Sequence, residues 1–139
     1  KFEKVYCFEP NPNFRECFNR NIHQSNVQLF PFALSDRQHM AHQEFNSTQI
    51  EAGNGDIECR TLDSFELTNL DFIKIDVDGS EIPLLNGALE TLAQNKPVLN
   101  IEMKRRKRPG VVEGCENILK KLGYNFIQAV KSDEVWLKK

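Results

Sequence analysis

Three short stretches of the chain gather side chains that can do chemistry. The first is VYCFEPNPNF, Val5 to Phe14. Its apolar run stops at Glu9, and a helix start follows: Asn11 can cap it, and Pro12 fits the first helical position, where a missing N–H costs nothing. In nucleotide-binding α/β folds a carboxylate at the end of the second strand accepts hydrogen bonds from both ribose hydroxyls. The other reading of Glu9 is electrostatic, a carboxylate placed near the positive end of the next helix dipole.

The second stretch, LDFIKIDVDGSE from Leu70 to Glu81, supplies Lys74, Asp76, Asp78 and Glu81. Strand side chains alternate, so Lys74 and Asp76 share one face while Ile73, Ile75 and Val77 share the other. Charges in an apolar strand are costly unless they are paired or solvated. The third stretch, NIEMK, puts Glu102 at a comparable height on the next strand. If the two strands are parallel neighbours, Asp76 and Glu102 converge with Lys74 nearby. Two close carboxylates need a cation, a shared proton or a ligand. The alternatives are therefore a functional site at the carboxyl end of the sheet and a buried ion-pair network. DVDGSE also resembles a calcium loop, but it lacks the third acidic position and follows a strand. No His or Asn is clearly placed beside these carboxylates to complete a metal site.

The elements that position these groups alternate. Val5–Phe8 reads as a strand. Phe14, Cys17, Phe18 and Ile22 recur at helical spacing and predict an amphipathic helix. Residues 27–34 read as one strand, and 38–60 as either a β-hairpin or a mobile polar excursion. Residues 70–77 form the strongest strand signal. A helix follows with Ile82, Leu85, Leu89 and Leu92 on one face, then a strand over 98–103. A helix over 111–122 turns Cys115, Ile118, Leu119 and Leu122 inward and stops at Gly123. Two last strands, 124–130 and 134–137, should pair antiparallel. The pattern predicts one α/β domain over 1–139 with a mostly parallel sheet and an antiparallel C-terminal pair.

The chain has 139 residues and a formal net charge of −2, so charge alone draws it to neither nucleic acid nor anionic membrane. No apolar run is long enough to span a bilayer. Cys7, Cys17, Cys59 and Cys115 form no CxxC pair and read as reduced, mostly buried thiols, which favours a cytoplasmic setting. With three histidines and no His/Cys cluster, no metal site is expected. The run Lys104-Arg105-Arg106-Lys107-Arg108 is either a solvated loop or a surface that attracts an anionic substrate.

Taken together, FEPNP (8–12), ALSD (33–36), TLDSF (61–65), DFIKIDVDGSE (71–81), LLNGA (84–88) and PVLNIE (97–102) resemble the FkbM-type family of S-adenosylmethionine-dependent methyltransferases. The resemblance implies a Rossmann-like class I fold and O-methylation of a small-molecule or sugar-like acceptor. It implies that Glu9 binds the cofactor ribose, Asn11 lies beside the adenosine, and Ser35 or Asp36 approaches the adenine edge. Asp76 would sit between methionine end and acceptor, with Glu102 on the substrate side. Asp78 departs from the family pattern, which has glutamate there. The family also begins with a strand and a glycine-rich turn. None of the seven glycines precedes Gly53, and a βαβ unit takes about 30 residues or more. The expectation is a domain truncated before its second strand, with impaired cofactor binding and with open sheet edges that invite homo-oligomers.

Methyl transfer from a sulfonium is an in-line displacement, so alignment and one general base dominate. The base is expected to be Asp76 or Glu102, with Lys74 holding their geometry. Two rival readings are a nicotinamide-dependent Rossmann oxidoreductase fragment and a non-catalytic domain that acts by protein interaction.

Overall fold

The computed structural model describes residues 2–43, 50–53 and 55–138. Strand β1 (Val5–Phe8) leads into helix α1 (Pro12–Asn21). Asn11 caps that helix, its side-chain oxygen accepting from the N–H groups of Asn13 and Phe14. Strand β2 (Val27–Phe30) then pairs with β1 in parallel, Val5 opposite Val27 and Phe8 opposite Phe30. Pro31 follows, and the expected single strand over 27–34 is split, with β3 (Ala33–Leu34) joining another sheet. Proline has no N–H to give a ladder, which accounts for the break.

The excursion is a small sheet of its own. β4 (His39–Gln43), β5 (Ile50–Ala52) and β6 (Ile57–Arg60) join β3 in the order β3-β6-β4-β5. The expected hairpin is the antiparallel β4–β5 pair. Asn54 of the glycine-flanked turn lies outside the described residues.

The larger sheet has the order β7-β8-β10-β9, formed by β7 (Phe72–Ile75), β8 (Val98–Glu102), β9 (Tyr124–Val130) and β10 (Asp133–Lys138). β7 and β8 are parallel. β10 runs antiparallel to both β8 and β9. The expectation of a mostly parallel sheet is corrected: among the described residues three strand pairings are parallel and four antiparallel. The last strand inserts beside β8, and the excursion adds two antiparallel pairs.

Helices α2 (Glu81–Asn86), α3 (Leu89–Asn95) and α4 (Pro109–Lys121) cover the larger sheet. Ile75, Leu85, Leu92, Leu99, Ile101 and Leu119 make the centre of that core, with Trp136. The single helix expected after Ser80 is broken at Gly87 and Ala88, and Leu89 is left exposed instead of sharing the buried face. The apolar face of α1 is also not covered. None of its residues is buried, and Phe14 is 56% exposed. The four cysteines are free, but only Cys59 and Cys115 are buried; Cys7 is intermediate and Cys17 exposed.

Candidate active site

β1 pairs only with β2, and β7 only with β8, among the described residues. Each strand therefore turns an open edge to the space between them, and that space is a cavity of about 840 Å³. One end is closed by Phe2 and Phe72, whose rings stack 5.9 Å apart. The other end lies at the carboxyl termini of the strands, where Glu9, Ser35, Asp36, Asp76 and Asp78 line it. Phe8 belongs to an aromatic cluster with Phe30 and Phe65, at centroid distances of 5.1 and 5.0 Å. That cluster firms the wall from which Glu9 projects.

Glu9 sits one residue past β1, and its N–H donates to Phe30 O at 3.1 Å, continuing the ladder. Its Oε1 accepts the Asn11 N–H at 2.8 Å, which orients the carboxylate at the cavity mouth. Asn11 itself is engaged in capping α1 and is not in the lining. Ser35 Oγ donates to Asp36 Oδ1 at 3.3 Å, and Arg37 reaches Asp36 Oδ2 at 3.4 Å.

Lys74 and Asp76 do share the exposed face of their strand, while Ile75 is buried opposite. Lys74 is ion-paired with Asp133 of β10 and stands 4.0 Å from Asp76. Parallel pairing of β7 with β8 sets Asp76 beside Glu102, close enough for each carboxyl to act on the other. Glu102 lies behind Asp76 and is more buried, with 18% of its side chain exposed. The two carboxyls are pushed apart. Burial and then contact with Glu102 raise Asp76 above the ordinary aspartate range. The Lys104 ammonium, 2.8 Å from Glu102 Oε2, outweighs burial and holds Glu102 below the ordinary glutamate range.

The turn after β7 is strongly constrained. Asp78 has φ 49° and Gly79 φ 108°, both left-handed. A non-glycine residue there is strained and persists only when its surroundings impose it. Here the buried carboxylate of Glu81 accepts the Gly79 N–H at 2.9 Å, and Lys104 grips the Asp78 carboxylate. Arg108 approaches the same carboxylate at 3.8 Å.

This arrangement redistributes the basic run. Lys104 and Arg108 face Asp78, and Arg105 pairs with Glu116 and Glu134 at 2.8 and 2.6 Å. Arg106 and Lys107 are exposed. The pairing of Lys104 with Glu102 is a role that sequence reasoning missed. Its signal was present: two residues apart at the end of an extended strand, the side chains fall on one face. Among the described residues, no three His, Cys, Asp or Glu side chains converge as a metal site.

The site therefore offers a carboxylate able to accept paired hydroxyls, a second carboxyl of raised basicity across the cavity, and an apolar trench between. A family model described as the methyltransferase FkbM domain matches residues 3–126. A solved structure, a methyltransferase FkbM from Methylobacillus flagellatus KT, is 19% identical and superposes with a TM-score of 0.65. The match covers 99% of this chain and 37% of that one. No curated protein matches. The structural likeness is one of fold, and the family model extends over most of the chain: it belongs to the FkbM methyltransferase domain family.

Proposed function

We propose that the chain is a Rossmann-like class I methyltransferase domain that transfers a methyl group from S-adenosylmethionine to an oxygen of a small-molecule or sugar-like acceptor, in the cytoplasm. One observation carries the reading: Glu9 and Asp76, at the carboxyl ends of two parallel-sheet strands, line one cavity. The donor set suits the ribose and adenine end of the cofactor. Glu9 keeps lone pairs for two ribose hydroxyls beyond the one that accepts Asn11 N–H. Ser35 and Asp36 offer polar edges beside the apolar wall.

The bound sulfonium supplies an electrophilic methyl group. The chain's own residues align the acceptor and take its proton. Asp76 is the base: it faces the cavity, and its raised basicity matches it better to a hydroxyl proton. Glu102, held ionised behind it, orients Asp76 and stabilises the protonated form. Lys74, anchored by Asp133, restrains the β7 end. An anionic group on the acceptor would meet Arg106 and Lys107, the exposed members of the basic run. Free thiols at all four cysteines support a reducing compartment.

Calorimetric titration with S-adenosylhomocysteine and with NAD tests this. Weak binding of the former is expected, and weaker still by roughly 10- to 100-fold in Glu9→Ala through loss of a hydrogen bond to a charged group. Binding of NAD alone, or of neither, would overturn the reading.

A further inference from the structure

The basic run was expected to act, if at all, on an anionic ligand. Its first member is instead built into the carboxylate pair. Lys104 follows Glu102 by two residues at the end of β8 and stands 2.8 Å from its Oε2. The same ammonium grips Asp78 on the left-handed turn after β7. Only 28% of the Lys104 side chain is exposed, and 18% of Glu102. One cation thus spans the two strand ends from which Asp76 and Glu102 reach each other.

We propose that Lys104 is a positioning residue of this site: its single ammonium ties the end of β8 to the turn after β7, holds Glu102 ionised, and so directs a proton taken up by the pair to Asp76 at the cavity. The catalytic meaning of this arrangement rests on the assignment of Asp76 as base; its electrostatic content does not.

The alternatives for the cation's job are limited by the surroundings. The charged groups around the pair are Lys74 and Asp76 on β7, Asp78 on its turn, Asp133 on β10, and Lys104 and Arg108 after β8. Lys74 is drawn to Asp133 and lies 4.0 Å from Asp76. Arg108 reaches Asp78, at 3.8 Å. Ser132 Oγ donates to Glu102 Oε1 at 3.4 Å, a neutral contact. Lys104 is the cation in contact with Glu102, so the charge preference within the pair depends on it. Two carboxyls in contact cannot both ionise freely, and the one nearer a cation ionises first. Without Lys104, Glu102 would be the more buried of the two and the harder to ionise.

Carboxyl ¹³C NMR titration of the whole chain reads this directly, with no cofactor present. In the wild type Glu102 should have the lower apparent midpoint and Asp76 the higher. In Lys104→Met the Glu102 midpoint should rise, reversing or merging the order. Lys104→Arg should restore it. A merely structural lysine would lower thermal stability without moving that order. If Lys104→Met does not fold, Asp78→Asn carries the test. It leaves Lys104 on Glu102, so the wild-type order must survive. A folded Lys104→Met with unmoved midpoints, or an Asp78→Asn protein with a reversed order, overturns the proposal. S-adenosylhomocysteine titration of the same samples separates the two claims. A shifted order without ligand binding sinks the methyltransferase reading alone. Ligand binding with an unmoved order sinks the role of Lys104 alone.

Discussion

Gly87→Ala should destabilise the protein although nothing in the glycine's own backbone requires glycine. Its φ of −86° and ψ of 7° are open to alanine. On torsion alone the substitution would stabilise by about 0.4–1 kcal/mol, through a less flexible unfolded chain. The obstacle is space. A Cβ built there falls 1.9 Å from the Ser35 carbonyl oxygen and 2.9 Å from its carbon. Relief needs a movement of more than an ångström, and both sides are pinned. Gly87 N–H donates to Pro83 O at 3.0 Å, and Gly87 O accepts from Asp63 N–H at 3.0 Å. Ser35 N–H donates to Arg60 O at 2.9 Å. Overpacking costs about 1–3 kcal/mol, and backbone on both sides of the clash puts this site toward the upper end. The net loss is then about 1–2 kcal/mol, a fall in melting temperature of about 3–8 °C for a chain of this length. Because Ser35 and Asp36 line the cavity, S-adenosylhomocysteine binding should weaken as well. Gly110→Ala is the control: no atom lies within 4 Å of its Cβ, in the first turn of α4. Calorimetric melting of both variants should move them in opposite directions. If both rise, or if Gly87→Ala melts with the wild type, the clash argument is wrong.

Asp63→Ala should cost about 1 kcal/mol, read as a lower urea midpoint at unchanged slope. The Asp63 carboxylate accepts from Thr91 N–H at 2.8 Å and Glu90 N–H at 3.2 Å and so satisfies the start of α3; an unchanged midpoint would refute that. Burial pushes the Cys115 thiol up to about 12, against 9.0 for an ordinary thiol. The unfolded chain therefore sheds this proton first, so stability falls as pH rises from about 9 toward 12. Cys115→Ala should flatten that alkaline slope, and in native thiol labelling Cys17 should react well before Cys115. β9 is an edge strand with no charged residue, and Phe126, Ile127 and Val130 are 49%, 50% and 61% exposed. Such edges pair with other chains. Size exclusion should show concentration-dependent association that Ile127→Lys removes, and a monomeric wild type at every concentration would refute it.

Local rules made the strand-end groups visible. Alternation alone puts Lys74 and Asp76 on the exposed face opposite Ile75. The Asn11-Pro12 pair marks the start of α1, and the antiparallel β9–β10 pair follows from its short turn. What stayed hidden depends on partners distant in sequence. An apolar face at helical spacing says nothing about whether anything covers it, and no residue of α1 is buried. No local window shows that Gly87 must pass beside Ser35, so no periodicity could break the helix at that point. The same contact explains why some shared segments are poor guides to chemistry. Ser35 from ALSD meets Gly87 from LLNGA, and Gly87 O takes the N–H of Asp63 from TLDSF. The carboxylate of Asp63 then caps α3. Three of the segments that mark the family thus meet in one packing node, behind a wall of the cavity. The proposed chemistry rests on Glu9, Asp76 and Glu102. In that proposal each has a neighbour two residues away that acts on it: Asn11 on Glu9, Asp78 on Asp76 and Lys104 on Glu102. Proximity in sequence was enough to place those neighbours, but the direction of the Asp76–Glu102 asymmetry needed the parallel pairing of β7 with β8.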